Sequence, residues 1–387
     1  MEFVSPSDLR MDNRLQLQRN RLVKDIDMRQ PVKIGHFSIN KGGPDGSDER
    51  VFIDDDRNLM QIVLPKDLDN VAFDLTEGYV PLSEGGRQHC VMKNTGLVEL
   101  FKWIINHRDK FALQAEDKKS TCLNTDFVAY RGTLTQMMVC PYERFDDLLI
   151  HAQKFNGTIY LNMVRSPEKQ AKDDNRDEFL NQLSYGGLHF EEFITKPLHP
   201  PREDSFKSDG HDELCCMVRT RLKSHSLVYG AEMDCVDKPG NVEELSLSNF
   251  IEIKTTRMIN SDRDYDNWSR KLVKWWAQSY MIGLSKLVCG YRDDNLVVRK
   301  LEKMNIHDFP SMGSRFWSHA VCLNWLNEFL TFMKTCAKEE GCIYKFYWRP
   351  KSDVVCFKSF DTQLLFVPDW YKSAILNTDD ASDTKSS

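Results

Sequence analysis

The chain has 387 residues, and at roughly 150 residues per domain that length allows one large domain or two smaller ones. Hydrophobic residues make up 41% and charged residues 28%, which supports a packed core and excludes wholesale disorder. No apolar run approaches the roughly 20 residues of a membrane helix. With a net charge of −6 and a pI near 6.0, the chain as a whole is not built to grip long nucleic acid nonspecifically.

A nuclease stays open, because catalytic carboxylates add negative charge that a divalent metal cancels. Local basic segments (Lys102 to Lys110, Arg219 to Lys223, Arg270 to Lys274) could supply grip or be ordinary solvated charge. The eleven cysteines form no C-x-x-C pair, which predicts reduced, partly buried thiols inside the cell rather than a disulfide framework or a zinc site. The N-terminus lacks the basic-then-apolar pattern of a secretory signal.

In chain order, residues 1–29 read as a polar N-terminal arm lying on the fold. Residues 41–50 read as a loop, being rich in Gly and charge. Leu97 to Asn106 carries Leu97, Leu100, Phe101 and Ile104 on one helical face. Residues 126–140 read as a hairpin turning around Gly132. The charged, apolar-poor stretch 166–178 reads as a surface loop leading into a helix, and 198–213 as a second loop. Leu227 to Val236 and Asn249 to Thr255 alternate as strands do. Trp268 to Leu284 and Phe316 to Ala337 predict helices. Tyr344 to Trp348 and Val354 to Phe357 predict a hairpin around residues 350–353. Residues 373–387 read as a disordered tail. No Pro- or Gly-rich linker separates two cores, so the expectation is one mixed α/β (α+β) domain over 30–372, built on twisted sheets flanked by helices.

Two strands carry the chemistry. In Gly230 to Cys235, alternation puts Glu232 and Asp234 on one face; in Phe250 to Thr255 it puts Glu252 and Lys254 together, with Ile251 and Ile253 behind. Each triplet alone is a weak signal and could be a solvated strand face. As a pair 20 residues apart, the two gather three carboxylates and an ammonium if the strands are neighbours. Like charges that close need a cation between them. Hard oxygen donors without histidine suit Mg²⁺ or Mn²⁺. Such a centre can polarise a phosphate, turn bound water into hydroxide and, with two ions, brace the attacking and leaving oxygens. Upstream, Gly187 to Glu191 could open a helix and place Glu191 in its first turn. Downstream, Lys271, Lys274 and Gln278 fall on one helical face that could meet an RNA backbone, while Trp275 and Trp276 read better as core.

The order of these motifs resembles the DXO-type decapping exoribonuclease family. The likeness rests on Gly187-x-x-x-Glu191, Glu232-x-Asp234, Glu252-x-Lys254 and Trp276-Ala277-Gln278. Further matches are Ile34-Gly35-x-Phe37-Ser38, Phe73-Asp74-Leu75-x-x-Gly78-Tyr79, Tyr130-Arg131-Gly132-x-Leu134-Thr135 and the run Gly290 to Asp294, so that it spans about residues 30–370. The resemblance implies a single mixed α/β fold with two twisted sheets enclosing a metal-dependent pocket. It implies hydrolysis at RNA 5′ ends: removal of incomplete caps and NAD caps, pyrophosphate release from triphosphate ends, and 5′-to-3′ exonuclease action on monophosphate ends. By matching, Glu191, Glu232, Asp234, Glu252 and the carbonyl of Ile253 would hold a pair of Mg²⁺ or Mn²⁺ ions, with Glu232, Asp234, Glu252 and Lys254 catalytic. Arg50, Tyr130, Arg131, Gly132, Cys215, Glu232, Lys254 and Gln278 would contact substrate. The resemblance further implies a nuclear protein, with the cytoplasm as a second location, and no membrane or DNA partner. The alternative it leaves open is a weakly catalytic partner that stabilises a nuclear 5′-to-3′ exoribonuclease. Three departures stand out: a second glycine, Gly186; His189 where a lysine is expected; and the unusually charged segment 166–178.

Overall fold

The computed structural model describes residues 9–11, 24–41, 50–86, 96–111, 122–199 and 212–376. The first strands are β1 (Leu9–Met11), β2 (Val32–Lys41), β3 (Arg50–Ile53), β4 (Met60–Ile62), β5 (Phe73–Asp74) and β6 (Phe127–Tyr130). Then come β7 (Leu148–Phe155), β8 (Thr158–Val164), β9 (Thr195–Pro197), β10 (Glu213–Leu222), β11 (His225–Met233) and β12 (Cys235–Val236). The last are β13 (Phe250–Arg257), β14 (Lys286–Arg292), β15 (Val297–Asn305), β16 (Ile343–Trp348) and β17 (Val354–Ser359). They form a ten-stranded sheet, β1-β17-β16-β7-β8-β6-β11-β10-β2-β3, and a seven-stranded sheet, β5-β15-β14-β13-β12-β4-β9.

The helices longer than one turn are α1 (Val98–Asn106), α2 (Arg131–Val139), α3 (Pro167–Asp174), α4 (Glu178–Ile194), α5 (Asp262–Ile282), α6 (His319–Cys336) and α7 (Asp369–Leu376). Strand alternation decides which helix covers which face. Phe127, Ala129, Leu227, Tyr229 and Ala231 point into a core shared with α2, α5 and α6, and Phe250, Leu287 and Cys289 of the second sheet join it. Val128, Cys215, Met217 and Val228 point the other way, under α1 and α7. On the outer face of the seven-stranded sheet, Ile251, Ile253 and Val288 pack against Phe190 and Ile194 of α4. One core therefore runs through both sheets, in agreement with a single mixed α/β unit. All ten described cysteines are free thiols. Among the described residues no helix is long and apolar enough to cross a membrane.

Several local expectations need correction. Residues 126–140 are not a hairpin: β6 pairs in parallel with both β11 and β8, and the chain turns directly into α2. Six of the nine residues of α2 are buried, and a helix wrapped by core carries no polar stripe to distinguish it from a strand. Within 166–178, Ser166 caps α3 by accepting a hydrogen bond from the Lys169 N–H; α3 buries nothing, so it shows no apolar period. Residues 373–376 are helical rather than tail, because α7 runs to Leu376 with Ile375 buried against α1 and Tyr371. Residues 377–387, 42–49 and 200–211 lie outside the described residues. In the arm, β1 adds a strand beside β17.

Candidate active site

The strand that carries the first acidic pair changes sheets in the middle of it. Glu232 belongs to β11 in the large sheet, β12 starts at Cys235 in the small one, and Asp234 sits at the break. β12 pairs antiparallel with β13 in the register Cys235↔Ile251 and Val236↔Phe250, so Asp234 comes opposite Glu252. The Ile253 N–H donates to Asp234 Oδ2 at 2.7 Å and locks that junction. Glu252 lies deepest, 2% exposed, while solvent reaches Glu232, Asp234, Glu191 and Lys254.

Glu191 arrives from the opposite side, in the last turn of α4 and not the first. The helix starts at Glu178, where Asp177 caps it by accepting from the Phe179 N–H, and the two glycines fall inside it. A Cβ on Gly186 would lie 3.0 Å from Leu75 Cβ, whereas one on Gly187, a turn before Glu191, would meet nothing within 4 Å. Gly186 thus serves packing and Gly187 leaves open space on the Glu191 face. His189 turns away, with Nδ1 2.8 Å from Glu192 Oε2 and its ring stacked on Tyr185, so this departure does not touch the carboxylates.

Two cations stand among four carboxylates. Arg131, the first residue of α2, donates to Glu252 Oε2 at 3.2 Å, and the Lys254 ammonium binds Glu252 Oε1. Burial would raise the Glu252 carboxyl, but Lys254 and Arg131 outweigh it and hold it below its ordinary value. Burial likewise opposes charge on Lys254, yet Glu252 and Asp234 keep it charged and push its pKa up. The other three acids lack such cover. Burial, then Asp234 and Glu232, drive Glu191 up to about 9. Glu213, then burial, raise Glu232 to about 7. Burial and Glu252 raise Asp234 to about 6. Four acids against two bases leave a surplus of negative charge.

Among the described residues no three His, Cys, Asp or Glu side chains are drawn together as ready-made ligands to one ion. The donor set nonetheless fits a hard divalent cation: all donors are oxygens, they carry more charge than their neighbours neutralise, and solvent reaches them.

A second cluster adjoins the first. Arg50 Nε donates to Glu99 Oε1 at 3.0 Å and its Nη2 to Glu213 Oε2 at 3.2 Å. The Tyr130 hydroxyl donates to Glu99 Oε2 at 2.9 Å, and Lys41 pairs with Glu213. Cys215 pairs with Glu232 across β10 and β11 and is 2% exposed, inside the core under α1. Gly132 is exposed, with open space where a Cβ would be. On α5, Lys274 is bound to Glu143 at 2.6 Å, Trp276 is core, and Gln278 is half-buried without a described polar contact to the carboxylates. Sequence reasoning missed Glu99, Glu213 and Lys41. Glu99 could have been found: it is a carboxylate one turn before Trp103, next to Leu100 on the buried side of a mostly apolar helix. Glu213 closes a segment read as a loop and carried no signal.

Comparison with known proteins places this geometry. The family model described as "RAI1 like PD-(D/E)XK nuclease" matches residues 29–372. A Xenopus laevis decapping and exoribonuclease protein is 28% identical over 362 residues, covering 90% of this chain and 86% of its own. Among solved structures, Candida albicans Rai1 in complex with pU5 and Mn²⁺ superposes with a TM-score of 0.74 at 18% identity, over 96% of this chain and 99% of its own. Scheffersomyces stipitis Rai1, in complex with (3′-NADP)⁺ and calcium, gives a TM-score of 0.73 at 19% identity, covering 93% and 98%.

Proposed function

Since the chain belongs to the RAI1-like PD-(D/E)XK nuclease family, we propose that the junction of its two sheets is the catalytic centre of an RNA 5′-end decapping hydrolase. The enzyme depends on divalent metal and acts on RNA 5′ ends. The observation that carries the assignment of residues is the hydrogen-bonded group at the sheet junction, where Asp234 accepts from the Ile253 N–H and Glu252 from Arg131 and Lys254, with Glu191 and Glu232 near enough for Asp234 to raise the pKa of both. These four and the Ile253 carbonyl would hold a pair of Mg²⁺ or Mn²⁺ ions. When bound, such ions polarise the scissile phosphate and lower the pKa of water toward hydroxide.

The chain's own groups do the rest. Lys254 stays charged beside Glu252 and offsets charge building on the phosphate. Arg131 is fixed at the start of α2 by Glu252, and the rest of its planar fork can receive a phosphate oxygen. Tyr130 and Arg50, tied to each other through Glu99, form the wall on which the first nucleotide is positioned, with Gly132 and Gln278 completing the contacts; the Cys215 thiol, expected to touch substrate, is buried in the core under α1 and backs this wall instead. In hydrolysis, water's oxygen bonds to the phosphorus of the linkage just inside the first nucleotide, the bond to the leaving oxygen breaks, and the capped end departs whole. The same centre serves pyrophosphate linkages, so triphosphate and NAD-capped ends are substrates, and monophosphate ends admit exonuclease action.

The test is to incubate 5′-labelled capped, NAD-capped, triphosphate and monophosphate RNAs with the protein in Mg²⁺, in Mn²⁺ and in EDTA. Products that need metal and vanish in Asp234→Ala are expected; activity that survives EDTA or the substitution would sink the reading. A nuclear 5′-to-3′ exoribonuclease as partner, and the nucleus as place of action, rest on the family resemblance. Equal recovery of that exoribonuclease by wild type and Asp234→Ala in a pull-down from nuclear extract would support both; no recovery by either would count against them.

A further inference from the structure

Far from the carboxylates, the ten-stranded sheet carries a groove of about 1110 Å³ across β1, β17, β16 and β7. The register explains why it is open. Arg10 lies beside Val355, Tyr347 beside both Val355 and Leu149, and Lys345 beside Phe357, all on one face. The alternate residues Met11, Phe346, Trp348, Val354 and Cys356 are buried in the main core. The face under α7 is covered further along, where Gln153 accepts from the Phe366 and Val367 N–H groups. The β16–β17 end keeps its polar side toward solvent.

The lining is chemically particular. Arg10, Lys345, Arg349 and Lys351 face Glu168, Asp353 and Asp361 on a chain whose net charge is −6, and Lys358 at the rim is ion-paired with Glu339. Three aromatic rings alternate with these cations: Tyr347, Phe357 and Phe360, the last 69% exposed. The Arg349 guanidinium lies 5.9 Å from the Tyr347 ring centre, and the Lys358 ammonium 4.6 Å from that of Phe360. Cations interleaved with open ring faces are what a single strand needs, phosphate contacts along the chain and a platform for bases. Lysine, in contrast, is depleted where two proteins meet.

We propose that this groove is a second RNA-contacting surface, holding the single-stranded body of an RNA downstream of the 5′ end. The inference rests on the reading of the junction as an RNA 5′-end nuclease. Four strand steps separate β16, which carries Lys345 and Tyr347, from β11, which carries Glu232. At about 4.8 Å per step they span about 19 Å, or roughly six nucleotides at the 3.4 Å rise of a stacked strand. A trinucleotide in the catalytic centre cannot reach the groove, and a long RNA can.

Fluorescence anisotropy with hydrolysis-resistant 5′-monophosphorylated RNAs of 3 and about 20 nucleotides, in Mg²⁺, distinguishes these lengths. In the double variant Lys345→Glu, Arg349→Glu the long RNA should bind about tenfold more weakly, while the trinucleotide binds as to wild type. The slope of log affinity against log salt should fall by about 1.4 for two lost phosphate contacts. Phe360→Ala, a substitution at an exposed ring, should weaken the long RNA alone by a few-fold. Equal binding of the long RNA by wild type and variants overturns the proposal and returns the groove to some other class of partner. Loss of both lengths alike overturns it too, since the defect would then lie at the 5′ end. Wild type that fails to cleave a short capped RNA would instead sink the enzyme reading and leave the groove measurement standing.

Discussion

The two charged clusters that meet across β10 and β11 use the same residue types to opposite ends. Around Arg50 and Lys41 stand Glu99 and Glu213, two bases for two acids, with Tyr130 donating to the remaining Glu99 oxygen. Burial disfavours the Arg50 charge, but Glu213 and Glu99 more than compensate and raise its pKa. Around Arg131 and Lys254 stand four acids, and three of them are pushed above their ordinary values. The balanced cluster is complete as folded and serves to position. The unbalanced one is held in a repulsive arrangement by the sheets and helices around it, and a divalent cation relieves the excess.

If that contrast is right, one kind of substitution should change stability in opposite directions. The largest effect is expected from Glu232→Gln, which should lower metal-dependent cleavage by about 10³-fold. The variant should melt no lower than wild type without metal, because a repelling charge is gone. Wild type should gain Tm on adding Mn²⁺, by mass action, and the variant should gain little. Next comes Glu99→Gln. It removes the buried charge that Arg50 faces and turns one of the two acceptor oxygens into an NH₂ donor, which should cost about 3 kcal/mol, read as a lower denaturant midpoint. Equal and same-signed stability changes in the two variants would dissolve the distinction between the clusters.

Much of the site could be read from the chain, because its acids lie on short strands where alternation alone assigns a face. Glu252 and Lys254 do share a face and touch. What could not be read is the change of sheet at Asp234, since a strand that leaves one sheet for another has the same period-two pattern on both sides of the break. Helices hidden in the core were misread for the converse reason, as α2 shows. The position of Glu191 was misjudged because glycines at 186 and 187 look like a helix start, whereas the cap that starts α4 is Asp177, ten residues before Gly187. Of the balanced cluster Arg50 and Tyr130 were legible, but Glu99, Glu213 and Lys41 escaped notice because they come from three separate elements.

The glycines also link the fold to the unbalanced cluster. A Cβ on Gly290 would sit 2.6 Å from the ring of Phe190, which is fully buried next to Glu191 in sequence. Gly290→Ala should therefore push the end of α4 off β14, costing about 1–3 kcal/mol as overpacking does. Cleavage should fall more than stability does, because Glu191 moves with the helix. A variant that loses stability but cleaves normally once folded would show that the position of Glu191 is not critical.

The smallest effect is expected at Lys41. Its side chain is 36% exposed and pairs with Glu213, so the ion pair is worth less than the buried Arg50–Glu99 contact. Lys41→Gln should cost under about 1 kcal/mol. Glu213, however, is the largest influence raising Glu232, and Lys41 acts on Glu232 in the opposite direction. Removing this lysine therefore adds to the negative surplus at the neighbouring centre without touching its carboxylates. The expected result is a near-normal denaturant midpoint with a cleavage rate that changes several-fold, by an amount that shrinks as salt screens the interaction. A salt-independent change, or a stability loss as large as that of Glu99→Gln, would mean that the two clusters do not communicate through charge and that packing alone governs both.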